Sequence, residues 1–224
     1  TVLSFFFFFF AKFDEGHEIP GANLKEDIAQ MFGLMAKLLV IVFVISAFLF
    51  VMVEQGIMTW LPTFNNKILK LPEDIGVMMA SILAITLAIG RMLAGVITKY
   101  ISWLWVLVVC IVVAMASVVF ILPQTLQVKE VTIRQLTDIP LIGFAFPLIG
   151  LFIAPIYPLI NSVVLSALPK KLHSPMTGLI VIFSALGGTL GSRIIGWLFK
   201  TIGGADAFYF LLIPMGLLLI SLFL

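Results

Sequence analysis

LLVIVFVISAFLFVMVEQGIMTWLP, residues 38–62, is long enough to cross a bilayer and carries a carboxylate, Glu54, inside it. A spanning helix needs about 20 mostly apolar residues. An acid or base at the centre of such a helix costs roughly 2.5–3.5 kcal/mol on insertion scales, so an intramembrane charge faces a cavity or a partner rather than lipid. The stretch therefore predicts a membrane protein with a polar space between its helices.

Composition agrees. Of 224 residues 62% are hydrophobic and 11% charged, with mean hydropathy +1.23, whereas a soluble domain carries about 25% charged residues. A net charge of +2 without a basic stripe argues against a nucleic-acid partner. The single cysteine, Cys110, lies in WLWVLVVCIVVAMASVVFIL and reads as a small apolar filler. No nucleophile–base pair, metal-ligand cluster or phosphate-cradling loop stands out, and His173 is isolated. Neither an enzyme nor a cofactor or metal is expected.

Six further stretches can span, near 37–61, 73–100, 103–122, 139–168, 174–199 and 205–224, after an apolar start, TVLSFFFFFF. Residues 1–11 read as the tail of a preceding transmembrane helix, so the chain is expected to be incomplete. No basic start or small-residue cleavage site marks a signal peptide. Residues 12–36 read as a cytoplasmic linker with an amphipathic helix, capped by Asn23 with Glu26 three residues on, and with Leu24, Ile28, Met31 and Met35 at helical spacing. His17 reads as a solvated loop residue. The compact pair Lys170 and Lys171 in a short loop favours the linker side as the inside. Pro72, Glu73 and Asp74 suit the start of the second span, where proline's missing N–H is harmless and the helix dipole favours acids.

The spans differ in polarity in an ordered way. The first carries Glu54, Gln55 and Thr59; the second Thr86, Gly90 and Arg91; the fourth Pro147, Pro155, Tyr157, Pro158 and Asn161; the fifth Ser184, Gly187, Gly188, Gly191, Ser192 and Arg193. The third and sixth are plain apolar helices suited to lipid. Polar, polar, plain thus repeats, and GRMLAGVITK at 90–99 echoes SRIIGWLFK at 192–200. The expected fold is all-α and membrane-embedded, a six-helix half-bundle with a 3+3 inverted repeat, a recurring transporter design.

EQGIMTWLP at 54–62, GRMLAG at 90–95, IAPIYPLINS at 153–162 and MTGLIVIFSALGGTLGSRIIGWL at 176–198 resemble the carboxy-terminal half of a major facilitator superfamily transporter, in the fucose permease and sugar–proton symporter branch. The superfamily's loop signature after the second helix keeps Gly95, while Lys99, Tyr100, Ser102 and Trp103 occupy its later positions. The resemblance implies residues 37–224 as the carboxy-terminal domain, a missing amino-terminal half that holds the coupling acids, and alternating access in the cell membrane. It also implies that the first, second, fourth and fifth spans line the cavity or the contact between halves. A monosaccharide and a proton would be the cargo.

Glu54 reads as a cavity group or a buried ion-pair member, and Gln55 as a sugar contact or a helix–helix bond. Tyr157 and Asn161, one turn apart, share a face suited to a polyhydroxylated ring. Pro155 and Pro158 each remove a backbone hydrogen bond and predict a bend, a candidate hinge. Ser184, Gly188, Ser192 and Gly196 fall four apart as a packing seam. Arg91 and Arg193 are candidates for a gate or an ion pair. Counting depth along the helices pairs Glu54 with Arg193 and leaves Arg91 too near the inner face. Rival readings are an exporter of amphipathic compounds, a membrane-embedded enzyme of lipid metabolism, and a noncatalytic scaffold.

Overall fold

Residues 24–125, 139 and 141–223 are described by the structure, a computed structural model. The expected cap at Asn23, His17, the tail over 1–11 and most of the loop 124–138 lie outside them. Helix α1 (Leu24–Leu34) precedes six spans. The first, second and third are α2 (Leu38–Lys67), α3 (Glu73–Ile97) and α4 (Trp103–Thr125). The fourth is broken into α5 (Ala145–Ile153) and α6 (Ile156–Ser166). The fifth is α7 (His173–Thr201), and the sixth is divided into α8 (Gly204–Tyr209) and α9 (Leu212–Ser221).

Each break has a proline behind it. A proline cannot donate to the carbonyl four residues back, and its ring crowds that carbonyl. Pro158 disrupts Ala154, where α5 ends, and Pro214 disrupts Phe210, where α8 ends. The fourth span is interrupted at Ala154 and Pro155, among the prolines expected to bend it. The sixth span is a correction, since it was expected to run without interruption. The first span was expected near 37–61, yet α2 continues through Pro62 to Lys67. With 30 residues, α2 is about 45 Å long, against a hydrocarbon core of about 30 Å. The helix is thus longer than the core it crosses, and Pro62 lies in its last two turns.

The first span is the most enclosed, with half of its most apolar window buried. Its main neighbour is the fifth span, and the second packs chiefly on the fourth. Exchanging first with fourth, second with fifth and third with sixth maps one contact onto the other, and does the same for the sixth–first and third–fourth contacts. This is the packing expected of a 3+3 inverted repeat. At one end of the bundle Phe64, Phe146 and Phe208 form a triangle with ring centroids 4.8–5.1 Å apart, all edge to face. It ties the first, fourth and sixth spans with about 0.5–1.5 kcal/mol per ring pair beyond buried area.

Helix α1 lies against α7. Leu34 is buried with Val40, Val44, Val164 and Met176, and Met31 and Met35 pack on the same cluster. Ile28, expected on that apolar face, is 43% exposed.

Glycine sets how closely helices approach. A Cβ at Gly187 would strike the Phe48 carbonyl, and one at Gly191 the Met52 carbonyl. The backbones of α2 and α7 meet at Gly187 and Gly191, and of the expected line of Ser184, Gly188, Ser192 and Gly196, Gly188 packs on the Gln55 and Val51 side chains of α2. Gly196 instead receives the Trp60 ring, whose Nε1 donates to the Ser192 carbonyl at 2.7 Å. On the other side Gly90 lies against Leu151, where a Cβ would come 2.6 Å from the carbonyl oxygen. That carbonyl is the one Pro155 leaves without a donor, so the backbone of α3 covers it. Thr86 Oγ1 donates to the Pro147 carbonyl at 2.6 Å, with the Leu83 carbonyl also at 2.8 Å.

Candidate functional site

Halfway along α2 an open groove of about 570 Å³ is bordered by Val51, Glu54, Gln55, Tyr157, Ser184, Ala185, Gly188 and Thr189. Three helices build it, α2, α6 and α7. On α2 the groove residues Val51, Glu54 and Gln55 follow the helical spacing of three and four. On α7 Ser184 and Gly188 lie one turn apart, as do Ala185 and Thr189. Gly188 faces Gln55 here, and a Cβ on it would come 3.0 Å from Cγ of that side chain, which would have to yield slightly.

Polar groups concentrate at this groove. The Tyr157 hydroxyl is 3.3 Å from Ser184 Oγ, and its ring stacks on Phe50 at 5.8 Å between centroids. The phenol is thus held from two sides. Gln55 is exposed and Thr189 likewise, leaving an amide and a hydroxyl at the open surface. Thr189 Oγ1 also donates to the Ala185 carbonyl at 2.8 Å, so its lone pairs are what it offers outward.

Glu54 is 7% exposed overall, and its Oε1 accepts from Arg91 Nη2 at 2.8 Å. The Arg91 side chain is 49% exposed, so the pair runs from the buried interior to the surface. This corrects the expected pairing with Arg193. Glu54 lies 13 residues before the end of α2, and Arg91 18 residues after the start of the antiparallel α3. The difference of five residues is about 7 Å along the axis, which a long arginine side chain spans. Arg193 fails for an angular reason. It is two residues beyond Gly191, which faces α2, and so is turned roughly 200° round α7. It is exposed and makes no ion pair among the described residues.

The structure thus brings Glu54, Gln55 and Tyr157 together, joins Arg91 to them through Glu54, and leaves Arg193 apart. Asn161 is half-buried outside the groove lining, and its Oδ1 is buried with no partner among the described residues. Pro155 stands at the break and Pro158 in the first turn of α6, next to Tyr157. Sequence reading missed Thr189, Ala185 and Val51. Their only signal was the spacing from Gln55 and Ser184, and that cannot show which face of α7 is turned to α2.

His173 closes on its own loop, with Nε2 3.0 Å from the Leu168 carbonyl. Among the described residues no three of His, Cys, Asp and Glu gather as a metal site. Acceptors, an amide, a phenol and hydroxyls in an open concavity can bind a hydroxyl-rich solute by exchanging hydrogen bonds with water. A family model, that of the Major Facilitator Superfamily, matches residues 1–192. No curated protein matches the chain.

Proposed function

The chain belongs to the Major Facilitator Superfamily, and from this premise we propose that it moves a small hydrophilic solute, a monosaccharide, with a proton by alternating access. The observation that carries the reading is the lining of the groove, where Glu54, Gln55, Tyr157, Ser184 and Thr189 meet. Sugar hydroxyls both donate and accept, and this set answers in both senses. The groove is open, as one wall of a cavity would be, and a second, amino-terminal half is the proposed other wall and the carrier of the proton-coupling acids. Glu54 and Gln55 bind the solute in this reading, and Tyr157 orients it.

The fourth span supports alternating access. Its break at Ala154 and Pro155 lies immediately before Tyr157, so a change of angle there moves a groove residue. Arg91 serves as a gate element through Glu54. An exporter of amphipathic compounds would call for a more aromatic lining, and Tyr157 is the one aromatic among the lining residues. The cell membrane is the proposed location, because uptake of an external sugar takes place there.

Proteoliposomes holding the full-length transporter test this. Monosaccharides should exchange across the membrane in counterflow, and an inward proton gradient should drive their accumulation. Gln55→Ala should raise KM for the sugar while the protein remains folded. Failure of every pentose and hexose to exchange, in vesicles that do carry another class of solute, would overturn the sugar assignment.

A further inference from the structure

A second concavity, of about 530 Å³, lies away from the groove, lined by Leu38, Leu39, Val42, Phe43 and Ser46 of α2, Trp103 of α4, Ile160, Val163 and Ala167 on the fourth span, and Ser221 and Leu222 on the sixth. Its volume is in the range of ligand sites, about 300–1,000 Å³. The hydroxyls of Ser46 and Ser221 are 2.8 Å apart, with the Val42 and Leu218 carbonyls each at 2.7 Å. Their protons are therefore used within the protein, and neither serine has a donor left for a polar solute. From Leu38 to Ser46 the crevice runs about 12 Å along α2, starting at the first residue of that helix.

Its mouth carries a charge pattern. Leu38 follows Lys37, Ala167 precedes Lys170 and Lys171, and Trp103 begins α4 just after Lys99. The loops between spans at this end, 98–102 and 167–172, contain no acid, and the acids on this side are Glu26 and Asp27 of α1, ten residues or more before Lys37. Glu73, Asp74 and Asp206 all lie at the opposite end. An apolar slot whose lining residues Leu38 and Ala167 stand within four residues of Lys37, Lys170 and Lys171 in sequence, with a tryptophan beside them, matches an acyl chain under an anionic headgroup.

We propose that this crevice binds one acyl chain of an anionic phospholipid, whose phosphate is held by Lys37 and Lys170. The site is separate from the solute groove and does not depend on the sugar reading. Val163 and Ala167 belong to the part of the fourth span beyond its break, so the lipid packs on the segment that carries Tyr157.

Native mass spectrometry of the purified protein tests the proposal, with phosphatidylglycerol and phosphatidylcholine of identical chains offered in equal amounts. Retained phosphatidylglycerol should exceed phosphatidylcholine roughly tenfold. Ala167→Phe and Val163→Trp, which fill the slot, should each remove the retained lipid. Lys37→Gln combined with Lys170→Gln changes exposed side chains only, and should abolish the headgroup preference. Unchanged retention in the slot-filling variants would overturn the site. Retention that ignores the headgroup in the wild type would overturn the anionic assignment.

Discussion

Glu54 and Arg91 are unequal partners, because the carboxylate is buried and the guanidinium half exposed. Removing one member of a buried pair typically costs about 3–5 kcal/mol through the charge left behind. Arg91→Met strands a buried carboxylate and should approach that range. Glu54→Gln leaves a cation that already reaches polar surroundings, and should cost clearly less. Thermal unfolding of both single variants and the double variant should reveal a coupling, and strictly additive effects would refute the pair. Arg193→Gln combined with Glu54→Gln should be additive, since the two side chains do not meet. A carboxylate within a spanning helix could be read as needing a partner, and two arginines were the candidates. Depth along the axis chose Arg193, and wrongly, because α2 runs on to Lys67 and the contact also depends on the rotation of each helix about its own axis.

At the scale of the element, glycines and prolines have different work. Gly191→Ala would drive a Cβ into the Met52 carbonyl, and since backbone cannot rotate away, α2 and α7 must part at about 1–3 kcal/mol or more. Gly95→Ala meets nothing within 4 Å and should be neutral or stabilising by up to about 1 kcal/mol through helix propensity. A thermal-shift comparison of the two separates packing from propensity; equal melting temperatures would show that the seam does not limit stability. Pro155→Ala acts elsewhere. It restores a donor for Leu151 and should reduce transport more than abundance, if the break is a working bend. A variant that transports normally would make the break a packing detail. The prolines were visible in the sequence along with the bend they impose on the fourth span. That Gly90 would be pressed over the freed Leu151 carbonyl was not visible, because the two lie on different helices.

Across the whole molecule, six spans fix which ends share a membrane face. Single cysteines at Tyr100 and Lys170, separated by two crossings, should react with an impermeant thiol reagent from one side. Cysteines at Lys70 and Ile202 should react from the other, in a Cys110→Ala background. Labelling of Lys70 and Lys170 from the same side would contradict the number of crossings between them. The inverted repeat adds a geometric constraint, since equivalent contacts recur on both sides of the pseudo-twofold.

The number of spans, their ends to within about six residues, the repeat and the fourth-span break all follow from chain-local chemistry. A run of apolar residues must satisfy its backbone as a helix in lipid, whatever its neighbours, and a proline removes a donor wherever it stands. The same local rule also bears on Pro62 and Pro214, but with a different outcome for each, continuation of one span and interruption of the other. There the depth in the membrane and the surrounding packing decide. The groove itself belongs to the folded bundle. Gln55, Tyr157 and Thr189 meet because Gly187 and Gly191 let α7 rest on the α2 backbone at one particular rotation. That rotation emerges from close contact between surfaces far apart in sequence, and a periodicity of 3.6 residues carries no record of it.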